Sequence, residues 1–152
     1  MILSTWNVNS IKVRLPAILQ YLQEQQPDVL VLQETKCLDE NFPSNELMEV
    51  GYHSVFCGQK TYNGVAILSN KKLDDVSLNP VSTVEGEMRS IAASFDDIRI
   101  INLYVVNGQS VGTPKFTYKL KWLKKLLDYT NIESKKYKNI IIMGDFNIAP
   151  ND

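Results

Sequence analysis

Apolar residues along this chain recur in two rhythms. Residues 1–6 (MILSTW) and 28–33 (DVLVLQ) are short apolar runs, the second preceded by Pro27 and followed by a polar stretch, and both suit buried β-strands. Between them Ile11, Leu15, Ile18, Leu19 and Leu22 recur at helical spacing, and Pro27 predicts the end of that helix. Residues 52–57 and 65–68 read as strands joined through a turn region at 58–64, and 90–95 with 98–105 predict a hairpin across Asp96 and Asp97. Thr113 followed by Pro114 marks a helix start, with Phe116, Leu120, Leu123 and Leu127 along one face. Residues 140–143 form a last buried strand that stops at Gly144. No repeat, low-complexity stretch or linker divides the chain, and strand–helix alternation with hairpins predicts one α/β sandwich containing a mixed sheet.

Composition narrows the class. The 152 residues are 44% hydrophobic and 22% charged, which suits one globular domain and excludes a disordered segment. No apolar run approaches the roughly 18 residues of a membrane span, so no membrane partner is expected. The first residues read as a strand rather than a leader. Cys37 and Cys57 are too few for a disulfide framework, so a reducing, cytoplasmic setting is expected. The net charge of −1 predicts no polyanion binding by itself, but residues 113–138 carry eight lysines against Asp128 and Glu133. That segment could meet a polyanion; the alternative for most of these lysines is a solvated helix face.

Three polar positions follow buried strands: Asn7, Glu34, and Asp145 with Asn147. Strand ends are where such sheets build ligand sites. Carboxylates and amides without a histidine or cysteine cluster form an oxygen-rich set, suited to Mg²⁺ or Mn²⁺ rather than zinc. Such a cation commonly accompanies phosphate chemistry. Taken singly, Asn7 and Asp145 could be turn residues and Glu34 a cap or surface charge; their repeated placement predicts that the three strand ends lie side by side in one sheet.

The stretches TWNVNSIKVRLP, PDVLVLQETK, GYHSVFCGQKTYNGVAILS, LYVVNGQ and GDFNIAPND resemble, in this order, the exonuclease III family of abasic-site (AP) endonucleases, within the endonuclease/exonuclease/phosphatase superfamily. LQET and GDFN point only to the superfamily; HSVFCGQKTYNGVA and NGQ point to its DNA-repair branch and fit inositol-phosphate or lipid phosphatases poorly. The resemblance implies a four-layer α-β-β-α sandwich, with residues 1–152 as the N-terminal portion of a longer domain. It implies Glu34 as principal Mg²⁺ (or Mn²⁺) ligand with Asn7 beside it, Asp145 orienting or deprotonating water, and Asn147 holding the scissile phosphate with Tyr104 against it. Arg89 and Asn107 would contact DNA. Tyr104 could instead be core, and Arg89 could pair with Glu85 or Glu87.

Two departures stand out. Val106 replaces the family's usual proline, and a later aspartate, aromatic residues and a final aspartate–histidine pair have no counterpart in this sequence. His53, the only histidine, matches a structural position. The implied activity is Mg²⁺-dependent hydrolysis of phosphodiesters 5′ to abasic sites in double-stranded DNA, with 3′ exonuclease chemistry. The alternative is a non-catalytic scaffold or DNA-binding module. A half-sandwich would leave a sheet face bare, predicting self-association through it.

Overall fold

β2 (Val29–Gln33) is buried on both faces, and the reason organises the molecule. The computed structural model describes residues 1–148; the APND end of GDFNIAPND, with Asp152, lies outside them. Leu30 and Leu32 of β2 pack with Ile11, Ile18 and Leu22 of α1 (Ile11–Gln25), while Val29 and Val31 pack with Ile91, Ala93 and Ile100 of a second sheet. Period-two alternation sends neighbouring residues to opposite faces, so an unbroken apolar run is what a central layer requires. Each such aliphatic side chain contributes about 1.5–3 kcal/mol when fully buried.

The first sheet has the order β1-β2-β4-β3, from β1 (Leu3–Asn7), β2, β3 (His53–Cys57) and β4 (Val65–Ser69). The second has the order β5-β6-β7-β8, from β5 (Asp74–Leu78), β6 (Ser90–Phe95), β7 (Ile98–Tyr104) and β8 (Asn139–Asp145). β1 and β2 are parallel and joined through α1; β7 and β8 are parallel and joined through α3 (Pro114–Glu133). Parallel neighbours need such crossovers. A short α2 (Ser44–Glu49) precedes β3. α1 covers the outer face of the first sheet and Trp122 of α3 that of the second, with the two sheets packed between them.

Four expectations change. The mixed sheet is two sheets, each with one parallel pair. No inner face is bare, because the described residues supply both sheets and pack them together. β5 and α2 went unread, since DDVSL is polar and largely exposed and α2 buries only Leu47. In α3, Leu120 and Leu127 are 52% and 59% exposed, while Leu123 of the expected stripe does pack on the core; the rest of the inward face runs through Tyr118, Trp122, Leu126, Tyr129 and Glu133.

Glu133 is buried because Arg99 of β7 donates to it at 2.6 Å. Arg99 also donates to the Asp75 carbonyl and the Ser77 hydroxyl, so one guanidinium ties β5, β7 and α3 together. Between the sheets Asn102 of β7 donates to the carbonyls of Leu32 and Ala66, at 2.8 and 2.9 Å, and accepts from Gln33. Every polar atom of this buried amide pair thus reaches a partner close to the strand ends, as burial demands.

Candidate active site

β1, β2 and β8 finish at one end of the sandwich. Asn7 closes β1, Glu34 follows β2 and Asp145 closes β8. The Asn7 Nδ2 donates to Glu34 Oε1 and to Asp145 Oδ2, each at 2.8 Å. The three expected residues therefore meet, although across two sheets rather than within one.

Local backbone aims them. Glu34 has φ 53°, a left-handed conformation uncommon for a residue other than glycine. The turn is held by hydrogen bonds: the carbonyls of Glu34 and Thr35 accept from the Ser10 and Ile11 amides, and the Thr35 amide donates to the Gly64 carbonyl. The start of α1 is thereby anchored to the residue that carries the carboxylate. On the other sheet Gly144 has φ 139°, and a Cβ there would lie 2.0 Å from the Leu103 carbonyl oxygen. Only glycine lets β8 approach β7 this closely and deliver Asp145 beside Asn7.

Lys36 stands 3.1 Å from Glu34 Oε2 and donates to Asn9 Oδ1 at 2.5 Å. The Tyr104 hydroxyl hydrogen-bonds Glu34 from β7. Burial pushes Glu34 upward, but the bonds from Asn7, Lys36 and Tyr104 outweigh it and hold the carboxyl below its ordinary value. Tyr104 is pushed up to about 12, by burial first and by its bond to Glu34 second, so it stays a donor. It is half-buried, its side chain packed against the inter-sheet core while its hydroxyl reaches the site.

Arg89 lies over the Tyr104 ring, 4.9 Å from its centroid. Its Nε donates to Glu87 at 2.9 Å, which decides its carboxylate partner between Glu85 and Glu87. Tyr118 of α3 donates to the same Glu87 oxygen at 2.6 Å. Asn147 has φ 48°, its amide N–H donates to Asp145 Oδ1 at 3.0 Å, and its Nδ2 donates to the Val105 carbonyl at 2.9 Å. Lys119, 7% exposed, donates to the Asn147 carbonyl at 2.7 Å; burial lowers its pKa against the pull of Asp145. Asn107 is exposed, accepts from the Gln109 amide and shares an open groove with Asn147 without touching the carboxylates. Val106, the departure from proline, is buried beneath α3.

His53 pairs with Ser69 and so lies level with Val29, at the opposite end of its sheet from Glu34. Sequence reasoning missed Lys36, Asn9 and Lys119, although Asn9 and Lys36 lie in the quoted TWNVNSIKVRLP and PDVLVLQETK stretches; Glu87 was named only as one of two partners for Arg89. The donor set of Glu34, Asp145 and the Asn7 amide suits a hard divalent cation, and among the described residues no third His, Cys, Asp or Glu joins it. No described helix is long and apolar enough to cross a membrane.

The endonuclease/exonuclease/phosphatase family model matches residues 4–152. Exodeoxyribonuclease III of Haemophilus influenzae is 33% identical, over 97% of this chain and 58% of that protein. A 3′-5′ exonuclease from Neisseria meningitidis superposes with TM-score 0.93 at 44% identity, covering 99% of this chain and 59% of that one. An AP endonuclease from Archaeoglobus fulgidus gives TM-score 0.90 at 39% identity, with 99% and 59% coverage. The chain thus spans a little under three fifths of each of these relatives. Family match, four-layer architecture and shared strand ends agree: the chain belongs to the endonuclease/exonuclease/phosphatase family.

Proposed function

We propose that the chain carries the catalytic cluster of a Mg²⁺-dependent DNA-repair nuclease that hydrolyses phosphodiesters 5′ to abasic sites, with exonuclease III-type chemistry at 3′ ends. The observation that supports this most is the Asn7 bridge between Glu34 and Asp145, with Asn147 and Tyr104 beside them. Glu34 and Asn7 would hold Mg²⁺ or Mn²⁺, which when bound neutralises phosphate oxygens that gain charge. Asp145 keeps acceptor capacity beyond its bonds to Asn7 and Asn147, so it can orient a water and take its proton. Asn147 has a second Nδ2 hydrogen for a phosphate oxygen, and Arg89 adds donors on the same rim, over the Tyr104 ring. Asn107 extends that rim toward the DNA. The free, buried cysteines suit a reducing cytoplasmic compartment. We place self-association at the outer edges of β1 and β8, which end their sheets among the described residues.

The test is cleavage of a duplex with one abasic site, with and without Mg²⁺. Asp145→Asn should lower the rate about 10²–10⁴-fold, the range for losing a general base. Glu34→Gln should weaken Mg²⁺ binding, read by calorimetry, more than Asp145→Asn does. Equal weakening would make both residues ligands. Tight duplex binding without any cleavage would favour the DNA-binding module instead.

A further inference from the structure

The lysines of α3 face two different ways. Lys119 turns inward to Asn147, whereas Lys121, Lys124 and Lys125 stand exposed on a neighbouring flank. Their i, i+3, i+4 spacing gathers three ammonium groups on one helical face. Across from them, Ser82 and Thr83 of the segment between β5 and β6 close an open groove of about 420 Å³, with Asp128 at its far end. Among the described residues none of these three lysines lies within 4.0 Å of a carboxylate, so their charge is not spent on an ion pair. Asp128 offsets one charge of three.

The groove starts one helical turn along α3 from Tyr118. Its two walls are α3 and the segment that runs on to Glu87 and Arg89, and Tyr118 clamps those walls together through its bond to Glu87. A strand that crosses Arg89 therefore has this groove as its continuation. From Lys121 to Lys125 the helix advances about 6 Å, and one DNA strand presents a phosphate every ~3.4 Å of axis. The lysines thus span about two phosphates. We propose that Lys121, Lys124 and Lys125, facing the Ser82–Thr83 wall, form a phosphate-binding track that grips the DNA backbone beyond the reacting centre. This rests on the nuclease reading for its ligand. Its chemistry is recognition of phosphodiester oxygens by ammonium donors, without base readout.

The experiment is duplex binding by the full chain, followed by fluorescence anisotropy from about 50 to 200 mM salt. Removing contacts to two phosphates should flatten the slope of log K against log salt by about 1.8, roughly a tenfold smaller loss of affinity over that range. We expect this for the triple variant Lys121→Gln, Lys124→Gln, Lys125→Gln. The matched triple Lys135→Gln, Lys136→Gln, Lys138→Gln removes equal charge outside the groove and should leave the slope within about half a unit of the parent. Equal flattening by both triples would reduce the track to diffuse charge, and no flattening by the first would remove it. Amide NMR shifts of Ser82 and Thr83 provide the second arm, with duplex or inorganic phosphate as probe. Shifts with phosphate but none with duplex would make this a small-anion site and overturn the assignment to DNA. Glu34→Gln should abolish cleavage and leave the slope unchanged, so failure of the nuclease reading and failure of the track are read separately.

Discussion

Glu87 has two donors and one geometry. Tyr118 and Arg89 both reach its Oε2, and Arg89 is thereby kept over the Tyr104 ring. Burial raises the pKa of Glu87, but the bonds from Tyr118 and Arg89 more than reverse it, leaving the carboxyl below its ordinary 4.5. A folded-state pKa below the unfolded value contributes stability above the unfolded pKa and loses it as pH falls through the folded one. Glu87→Gln should therefore destabilise the protein at pH 7, and the gap between variant and parent should close as pH drops below 4.5. Denaturant melts at both ends of that window check it; a gap that widens in acid would contradict the assignment. Asn7, Glu34 and Asp145 were legible because each follows a buried strand, a local pattern. Lys36 and Lys119 were not, and Glu87 was legible only as one of two partners for Arg89, because their roles arise from contacts made by the folded backbone: a left-handed turn at Glu34, a helix seated on the β8 exit, and a clamp between two segments.

α3 shows how an element can be placed correctly and turned only partly right: Leu123 packs inward, Leu120 and Leu127 do not. Its start was readable: Thr113 accepts from the Phe116 amide and Pro114 takes the first position. Two apolar stripes of the same heptad-like spacing exist, and spacing alone cannot choose between them. The leucine stripe looks more hydrophobic, yet the inward stripe carries Trp122, aromatic rings with polar tips, and a glutamate that is buried only because Arg99 waits for it. Leu127→Gln should accordingly stay within about 0.5 kcal/mol of the parent. Trp122→Ala should cost about 3–5 kcal/mol. Glu133→Ala leaves Arg99 buried without its carboxylate and should cost about 3–5 kcal/mol. Thermal or urea melts of the three variants decide the helix phase. A large loss for Leu127→Gln would restore the leucine face. β5 was missed for the converse reason: it carries almost no apolar signal and exists because β6 offers it an edge.

For the molecule as a whole, the sequence carried the layers better than their membership. Apolar runs such as VLVLQ require two covered faces but do not say which strand belongs to which sheet. Pairing is set by distant partners, Leu30 opposite Leu68 for instance, and so a single mixed sheet was the simplest reading. With the inner faces packed, the edges left unpaired among the described residues are what remain for association, and β8 offers seven residues with Ile142 39% exposed. Unprotected edges invite pairing, so sedimentation should show mass rising with concentration, and Ile142→Lys should suppress the rise. An unchanged rise in that variant would move association elsewhere. The Asn7–Asp145 contact also has a consequence for how the protein comes into being. Its two residues stand 138 positions apart and on different sheets, so the contact closes one of the longest loops the chain can make, a kind of step that folds late. During synthesis the carboxylates cannot meet until β8 has left the ribosome. A nascent chain released before that point therefore carries Glu34 without Asp145, and its Asn7 amide has one carboxylate to bridge instead of two.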